Sequence, residues 1–324
     1  MVYGALDIGG TKIAGALVDA GGRVVVRAQR PTPARGSAEA MMAAVYSVVD
    51  ELAAHPEWAS LLCLGIGSAG PVDTFAGTVS PVNIPAWRSF PLVERVRTHP
   101  AVPAGVEPVL VGDAVAMAAA EHWIGAARSA ANALCMVVST GVGGGLILGG
   151  SVHAGTTGNA GHIGHISVDQ NGPECPCGAL GCVELYASGT AIAAHALESG
   201  WTPPAGLPAT AREVEVSARA GDPKALAAFD RAGRALAAAI AATAALVELD
   251  LVVIGGGVSQ AGEVLFAPLR HHLKSYAVLD FTRDLPIVPA GLALDAGLIG
   301  AAAAGAASFG LSRAGAGTTG RSAV

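Results

Sequence analysis

Charge is what this 324-residue chain has least of: Asp, Glu, Lys and Arg together make up 14% of it, and the formal net charge is -6. No run of lysine or arginine occurs, so there is no basic stripe to neutralise a phosphate backbone, and nucleic acid is excluded as a partner. Aromatic residues are scarce at 4%, so the 52% hydrophobic fraction, much of it small, suits closely packed α/β layers rather than an aromatic-rich recognition surface. Long apolar runs are missing too. The strongest, Ala235 to Val247, is closed off by Arg234 and Glu248. It falls short of the ~20 residues a spanning helix needs, which predicts a buried helix and no membrane partner. The N-terminal MVYGALDIGG has no basic segment and meets Asp7 early; no secretory signal is read there, and a cytoplasmic protein is expected.

Cysteine is sparse and odd in number, five in all, yet three crowd into the stretch GHIGHISVDQNGPECPCGALGCVELYASG from Gly161 to Gly189. That crowding fits a metal site better than a disulfide framework in a reducing compartment. Cys63 and Cys135 lie in the apolar runs LLCLGIG and ALCMVVS and read as buried packing residues.

The length favours two domains. VYGALDIGG, TKIAGALVDA and GGRVVVRAQRP read as three strands punctuated by glycine pairs, followed by a helix from Ala38 to about Ala54 with Ser37 as N-cap, then the strand LLCLGIG. ALCMVVSTGVGGGLILGGSVHAG repeats the strand, glycine turn, strand, glycine turn pattern, which suggests one supersecondary unit used twice. EPVLVGDAVAMAAAEHW supplies a strand ending near Gly112 and a helix beginning around Asp113. A carboxylate at such a handover is well placed to act at the open end of an α/β sheet. Helices are predicted through about Leu246, then the strand LDLVVIGGG and a helix near Glu263 to Tyr276. The tail 311–324 has too few large apolar groups to pack and is expected to be disordered.

DIGGTK, Asp7 to Lys12, and STGVGGG, Ser139 to Gly145, are glycine turns after apolar strands, and GGG at 255–257 is a third. Glycine lets backbone N–H groups approach phosphate oxygens, and a nearby hydroxyl, amine or carboxylate adds donors or a magnesium ligand. DIGGTK is neither a Walker A loop nor a GxGxxG fingerprint, since no helix follows it, and taken alone it reads first as an ordinary hairpin; the three turns together point to a nucleotide cleft.

Taken together, DIGGTK, STGVGGG, the Asp113 strand end and GHIGH followed by CPCGALGCVE closely resemble the ROK family of repressors and kinases, from about Tyr3 to Ala307. The resemblance implies an α/β, two-lobed actin-like ATPase fold of the ribonuclease H type with a structural zinc site. Its lobes are expected at 1–112 and 113–310, with the last helix packing back on the smaller one. It implies ATP and Mg2+ as cofactors, with Asp7, Gly9, Gly10, Thr11, Lys12, Thr140 and Gly141 around the phosphates and Gly256 and Gly257 on the adenosine side. His165, Cys175, Cys177 and Cys182 would hold the Zn2+, one imidazole and three thiolates suited to a closed tetrahedral ion. Phosphoryl transfer to the 6-hydroxyl of a hexose would use Asp113 as general base, with Glu184, His165, His162, Gly70 and Asn83 contacting the sugar. Repressor relatives carry a winged-helix domain ahead of the first strand, whereas YGALDIGG opens this sequence; a kinase is the expectation. A homodimer or homotetramer is expected from the same resemblance.

Two departures bear on substrate. Most glucose-phosphorylating relatives have glutamate where this chain has His162, and the family's N-acetylmannosamine kinases carry the same GHIGH, which points to an amino sugar. The family's Asn-Asp-Ala-Asn reads Gly112-Asp113-Ala114-Val115 here, keeping the carboxylate but losing two amides. A glucokinase acting on plain glucose is therefore the second reading, and a non-catalytic sugar-sensing protein of the repressor branch another.

Overall fold

The computed structural model describes residues 1–292 and 295–308; the tail expectation for 311–324 lies outside them. Tertiary contacts divide the chain into one unit containing 1–111 and 301–308 and another containing 112–300.

The first unit opens with β1 (Val2–Ile8), β2 (Lys12–Asp19) and β3 (Val24–Pro31), an antiparallel meander turning at its glycine pairs. Helix α1 (Ala38–Ala53) follows, started by Ser37, whose Oγ accepts the Ala40 N–H at 3.2 Å. It buries Met41, Met42, Val45, Val48, Val49 and Leu52 against the sheet. Each such side chain is worth about 1.5–3 kcal/mol when fully removed from water. β4 (Leu61–Ser68) returns parallel to β1, as a helical crossover requires. A separate small hairpin, β5 (Val72–Asp73) and β6 (Thr78–Val79), and the helix α2 (Leu92–Arg97) follow, and β7 (Pro108–Gly112) completes a sheet ordered β3-β2-β1-β4-β7.

In the second unit, α3 (Asp113–Trp123) leads into β8 (Ala133–Val138), β9 (Val142–Leu148) and β10 (Ser151–His153). Helices α4 (Glu184–Ala187), α5 (Gly189–Glu198), α6 (Ala211–Arg219) and α7 (Pro223–Val247) precede β11 (Leu251–Gly255). Then come α8 (Glu263–Tyr276), β12 (Ile287–Pro289) and α9 (Ala296–Ser308), whose residues from 301 on belong to the first unit. The sheet runs β10-β9-β8-β11-β12. Three antiparallel strands followed by strands added parallel is the order of the first sheet as well, the doubling that the two glycine-punctuated stretches predict.

The glycines of STGVGGG do two jobs. Gly141 lies in the β8–β9 turn, but Gly143, Gly144 and Gly145 are inside β9, where a Cβ on Gly145 would strike the Ala114 carbonyl and the Ala118 side chain. They let α3 lie directly on the strand, which fixes the helix that begins at Asp113. The Ala235–Val247 run is the C-terminal half of α7, with Ala235, Leu236, Ala237, Ala239, Ile240 and Ala241 buried. Asp222 starts that helix by accepting the Lys224 and Ala225 N–H groups. No helix among the described residues is long and apolar enough to cross a membrane. Cys63 and Cys135 are fully buried in β4 and β8, where burial pushes their thiols up to about 11 and about 12. They are packing residues, as their apolar runs predict.

Candidate active site and metal cluster

The cysteine-rich loop brings His165, Cys175, Cys177 and Cys182 together with all four ligand atoms within 4.8 Å of one another. Cys177 and Cys182 Sγ are 3.7 Å apart, and Cys175 Sγ is 3.8 Å from His165 Nδ1. Thiolates bound to one tetrahedral zinc at about 2.3 Å each would stand roughly 3.8 Å apart, so the donor set and its spacing both fit that ion. Nδ1 is the ring nitrogen turned toward the sulfurs. Crowding of thiols is visible electrostatically: burial and the neighbouring sulfurs push Cys182 up to about 12. The loop is pinned outside the cluster by the Tyr186 hydroxyl, which donates to Asp169 Oδ2 at 2.9 Å, while the Arg231 guanidinium lies 4.4 Å over the Tyr186 ring.

Asp113 is the first residue of α3, immediately after β7 and its Gly112 cap. Its Oδ1 accepts the Ala114 N–H at 2.7 Å. The carboxylate is reachable by solvent, yet protein atoms crowd around it: loss of hydration holds its pKa above the usual aspartate value. The Ala114 N–H and the His162 ring pull the other way, more weakly. A base with raised pKa and an open face suits proton abstraction. His162 Nδ1 is 2.8 Å from the Asn159 carbonyl, which can only accept; the proton therefore sits on Nδ1, and Nε2 is an acceptor in the neutral ring. The His162 and His165 rings lie nearly parallel, 6.3 Å between centroids. A Cβ on Gly112 would make only ordinary contact, with the Gly158 carbonyl at 3.4 Å, so this position would tolerate a small side chain.

Glu184 starts α4 two residues beyond Cys182. Its Oε2 accepts the Val142 N–H at 2.8 Å, and a Cβ on Gly141 would run into the same oxygen. The turn is held at two further points: Gly189 N–H donates to the Ser139 carbonyl at 2.7 Å, and Thr190 Oγ1 to the Thr140 carbonyl at 3.1 Å. Ser139 N–H closes the turn on Gly141 O at 2.9 Å. Among the described residues the Thr140 and Gly141 N–H groups make no backbone hydrogen bond, so they are free to meet an anion.

Beside this turn lies a cavity of about 870 Å³. Ser139, Thr140 and Gly257 line it, with Thr190, Arg212 and Gln260 as polar groups and Ala193, Leu197, Phe229 and Val258 among its apolar ones. The structure thus brings the predicted Thr140 and Gly257 to one cavity. Gly256 does different work: its φ is +91°, and a Cβ there would strike the Val138 backbone, so it permits β11 to end close against β8. Sequence reasoning missed the α5 and α6 residues of this cavity, because Ala193, Leu197 and Ala211 at helical spacing look like ordinary core.

In the first unit the Asp7–Lys12 turn is built on the same plan. Gly9 N–H donates to the Lys12 carbonyl at 3.0 Å, Thr32 Oγ1 donates to the Gly9 carbonyl at 2.7 Å, and Thr32 N–H to the Thr11 carbonyl at 3.0 Å. Gly10 and Thr11 N–H groups make no backbone hydrogen bond among the described residues. Asp7 is half-buried on β1 opposite Ala14, and Thr11 and Lys12 are exposed. Asn83 comes to this turn: a Cβ on Gly10 would collide with its side-chain amide. Its loop is braced by Arg88, whose Nη1 donates to the carbonyls of Pro81, Ile84 and Trp87 at 2.9, 3.1 and 2.7 Å, and by fully buried Trp87, stacked on Phe90. Gly70 precedes β5, its carbonyl accepting the Val82 N–H at 3.3 Å, which ties it to the same loop.

The chain matches known proteins over nearly its whole length. The family model described as ROK family matches residues 3–306. A glucokinase of Thermotoga maritima is 34% identical over 309 residues, covering 92% of this chain and 95% of that one. An N-acetylmannosamine kinase of Escherichia coli O9:H4 is 37% identical over 298 residues, covering 92% and 96%. The crystal structure of a ROK family glucokinase from Streptomyces griseus in complex with glucose and AMPPNP superposes with a TM-score of 0.79 at 33% identity, covering 94% of this chain and 99% of that one. Two sheets of one strand order, a cluster of one histidine and three cysteines beside GHIGH, and a family match over nearly the whole length leave one assignment: this chain belongs to the ROK family.

Proposed function

We propose that this protein is an ATP-dependent hexose kinase that phosphorylates the 6-hydroxyl of an N-acetylhexosamine, N-acetylglucosamine or N-acetylmannosamine. Asp113 accepts the hydroxyl proton as that oxygen attacks the γ-phosphorus in line. Its crowded carboxylate, held above the usual aspartate pKa by loss of hydration and open to solvent on one side, supports the role. Because the transition state is loose, alignment and charge stabilisation supply most of the acceleration. The uncommitted N–H groups of Gly10, Thr11, Thr140 and Gly141 would receive phosphate oxygens, with Lys12 nearby. Asp7 is the residue that would hold hydrated Mg2+, an ion that typically takes one or two protein carboxylates and completes its shell with water and phosphate. The cavity beside Thr140 and Gly257 has the size and the largely apolar wall expected for a nucleoside. His165, Cys175, Cys177 and Cys182 would hold Zn2+ as a structural clamp; bound there, it would fix the loop carrying His162, His165 and Glu184, and these residues with Asn83 and Gly70 are our sugar contacts.

One observation carries the amino-sugar reading: His162, oriented by the Asn159 carbonyl, puts an imidazole where a carboxylate stands in glucose-phosphorylating relatives. An acyl group can lie against an imidazole without stranding a carboxylate's negative charge. The missing side chain at Gly112, where a Cβ would fit in ordinary contact, is compatible with a bulkier substituent. Glucose is the second reading, favoured by the glucokinases among the relatives. A coupled ADP-release assay over N-acetylglucosamine, N-acetylmannosamine, glucose and mannose tests both. We expect kcat/KM for one N-acetyl sugar to exceed glucose by at least about tenfold, the scale of one well-made pocket contact. Glucose equal to or better than both would overturn the substrate in favour of glucokinase, and no ADP release with any hexose would overturn the kinase.

A further inference from the structure

We propose that Glu184 is a positioning residue for the β8–β9 turn, so that the protein's grip on nucleotide depends on it even with no sugar bound. The proposal rests on the kinase reading only in taking Thr140 and Gly141 as phosphate contacts. Its basis is the division of labour between the two carboxylate oxygens. Oε2 is committed to the turn, accepting the Val142 N–H at 2.8 Å and lying where a side chain on Gly141 would have to go. Oε1 makes no hydrogen bond among the described residues. One side chain thus has one oxygen on the turn and one free for a hydroxyl.

Glu184 does not hold the turn from a floppy support. Val183 N–H donates to the Ile166 carbonyl at 3.0 Å, Ser167 and Cys182 form a bridge, and Ser188 N–H donates back to the Glu184 carbonyl at 3.2 Å. The other two anchors of the turn, from Gly189 and Thr190, are neutral. Glu184 is the one acceptor of the three, the other two being donors, and a carboxylate oxygen makes a stronger acceptor than a neutral carbonyl. Removing it frees the Val142 N–H and opens a void beneath Gly141, so the Thr140 and Gly141 N–H groups lose their fixed direction. By linkage, any hydroxyl that fixes the Glu184 side chain through Oε1 should raise nucleotide affinity, and nucleotide should raise sugar affinity by the same factor.

The test is AMPPNP binding by calorimetry in the absence of sugar, with magnesium, for the wild type, Glu184→Ala and Glu184→Gln. Alanine should weaken binding by about tenfold. Glutamine keeps a neutral carbonyl for the Val142 N–H and should stay within about threefold of wild type, a rescue that a role in sugar contact alone does not predict. Hydrogen exchange at the Val142 amide, read in the same proteins without nucleotide, should be faster in Glu184→Ala and near normal in Glu184→Gln. Wild-type AMPPNP affinity in Glu184→Ala, or unchanged Val142 exchange, overturns the proposal. Should the wild type bind no nucleotide, the kinase reading fails, while the exchange measurement still decides whether Glu184 holds the turn.

Discussion

Glu121 sits on α3 two turns beyond Asp113 and is fully buried. Its Oε2 accepts the N–H groups of Ala126 at 2.7 Å and Gly291 at 3.0 Å, and its Oε1 that of Leu292 at 2.8 Å. Glu121→Ala strands these three donors. Each buried donor left without a partner costs about 1–3 kcal/mol. Water entering the void recovers part of this, so the expected loss is about 3–5 kcal/mol, the range for breaking a buried ionic network. For a unit of about 150–250 residues each kcal/mol moves the melting temperature by about 2–4 °C, giving a fall of roughly 8–15 °C. Glutamine offers one carbonyl and turns an NH2 toward the donors, so Glu121→Gln should lose at least about half as much. Differential scanning calorimetry measures this, read on the transition of the unit holding residues 112–300 where two transitions separate. Below melting, kcat should stay within about threefold of wild type, because the N-terminal end of α3 is held separately by its contact with Gly145. A Tm shift under about 2 °C would refute the reasoning.

Asp113→Asn should lower kcat at least about a hundredfold while leaving sugar affinity within about threefold. Because loss of hydration raises its pKa, wild-type kcat/KM should climb with pH through a value above that of an ordinary aspartate, and this limb should vanish in the variant. The same shift makes the folded protein the tighter proton binder, so stability falls as pH rises from the ordinary aspartate value through the raised one. The asparagine variant, which escapes that loss, should melt no lower than wild type at neutral pH. Elemental analysis should find one zinc per chain, with Cys182→Ala losing both metal and thermal stability; a metal-free protein of equal stability and activity would remove the clamp. Gly10→Ala and Gly141→Ala, whose new methyls meet the Asn83 amide and the Glu184 carboxylate, should each raise KM for ATP by about tenfold or more, measured at saturating sugar.

Much of the fold is local, and that part was legible. Glycine pairs end β1 and β2, Ser37 starts α1, and Glu263–Tyr276 stands as α8 with its predicted bounds. Each of these rests on turn conformations, caps or periodicity within a few residues. The metal cluster was legible for a different reason: four ligands of the right type fall within eighteen residues of chain, so a short loop suffices to bring them together. Glu121 shows what such reading misses. In sequence it is one acid on an alanine-rich helix, and its partners Gly291 and Leu292 are 170 and 171 residues away.

The glycines carry this argument further, because identical residues in one motif answer to unrelated constraints. In STGVGGG, Gly141 yields space to the Glu184 carboxylate, whereas Gly145 yields it to the backbone of α3. In the triplet at 255–257, Gly256 needs its φ of +91° and room against Val138, while Gly257 opens on the cavity. A glycine motif states that a side chain is excluded; only the packed neighbour says whether a ligand or another strand takes the space. The same holds across the two sheets. Their matched strand order places Gly10 and Gly141 on corresponding hairpins, and in each a polar side chain from a segment distant in sequence, Asn83 of a loop or Glu184 at the start of α4, occupies the space a Cβ would fill. If this doubled arrangement serves to set two phosphate-facing turns, alanine at either position should impair nucleotide use while sparing the zinc content and the fold. Loss of metal in Gly141→Ala would instead mean that the turn supports the cysteine loop, and the order of cause would run the other way.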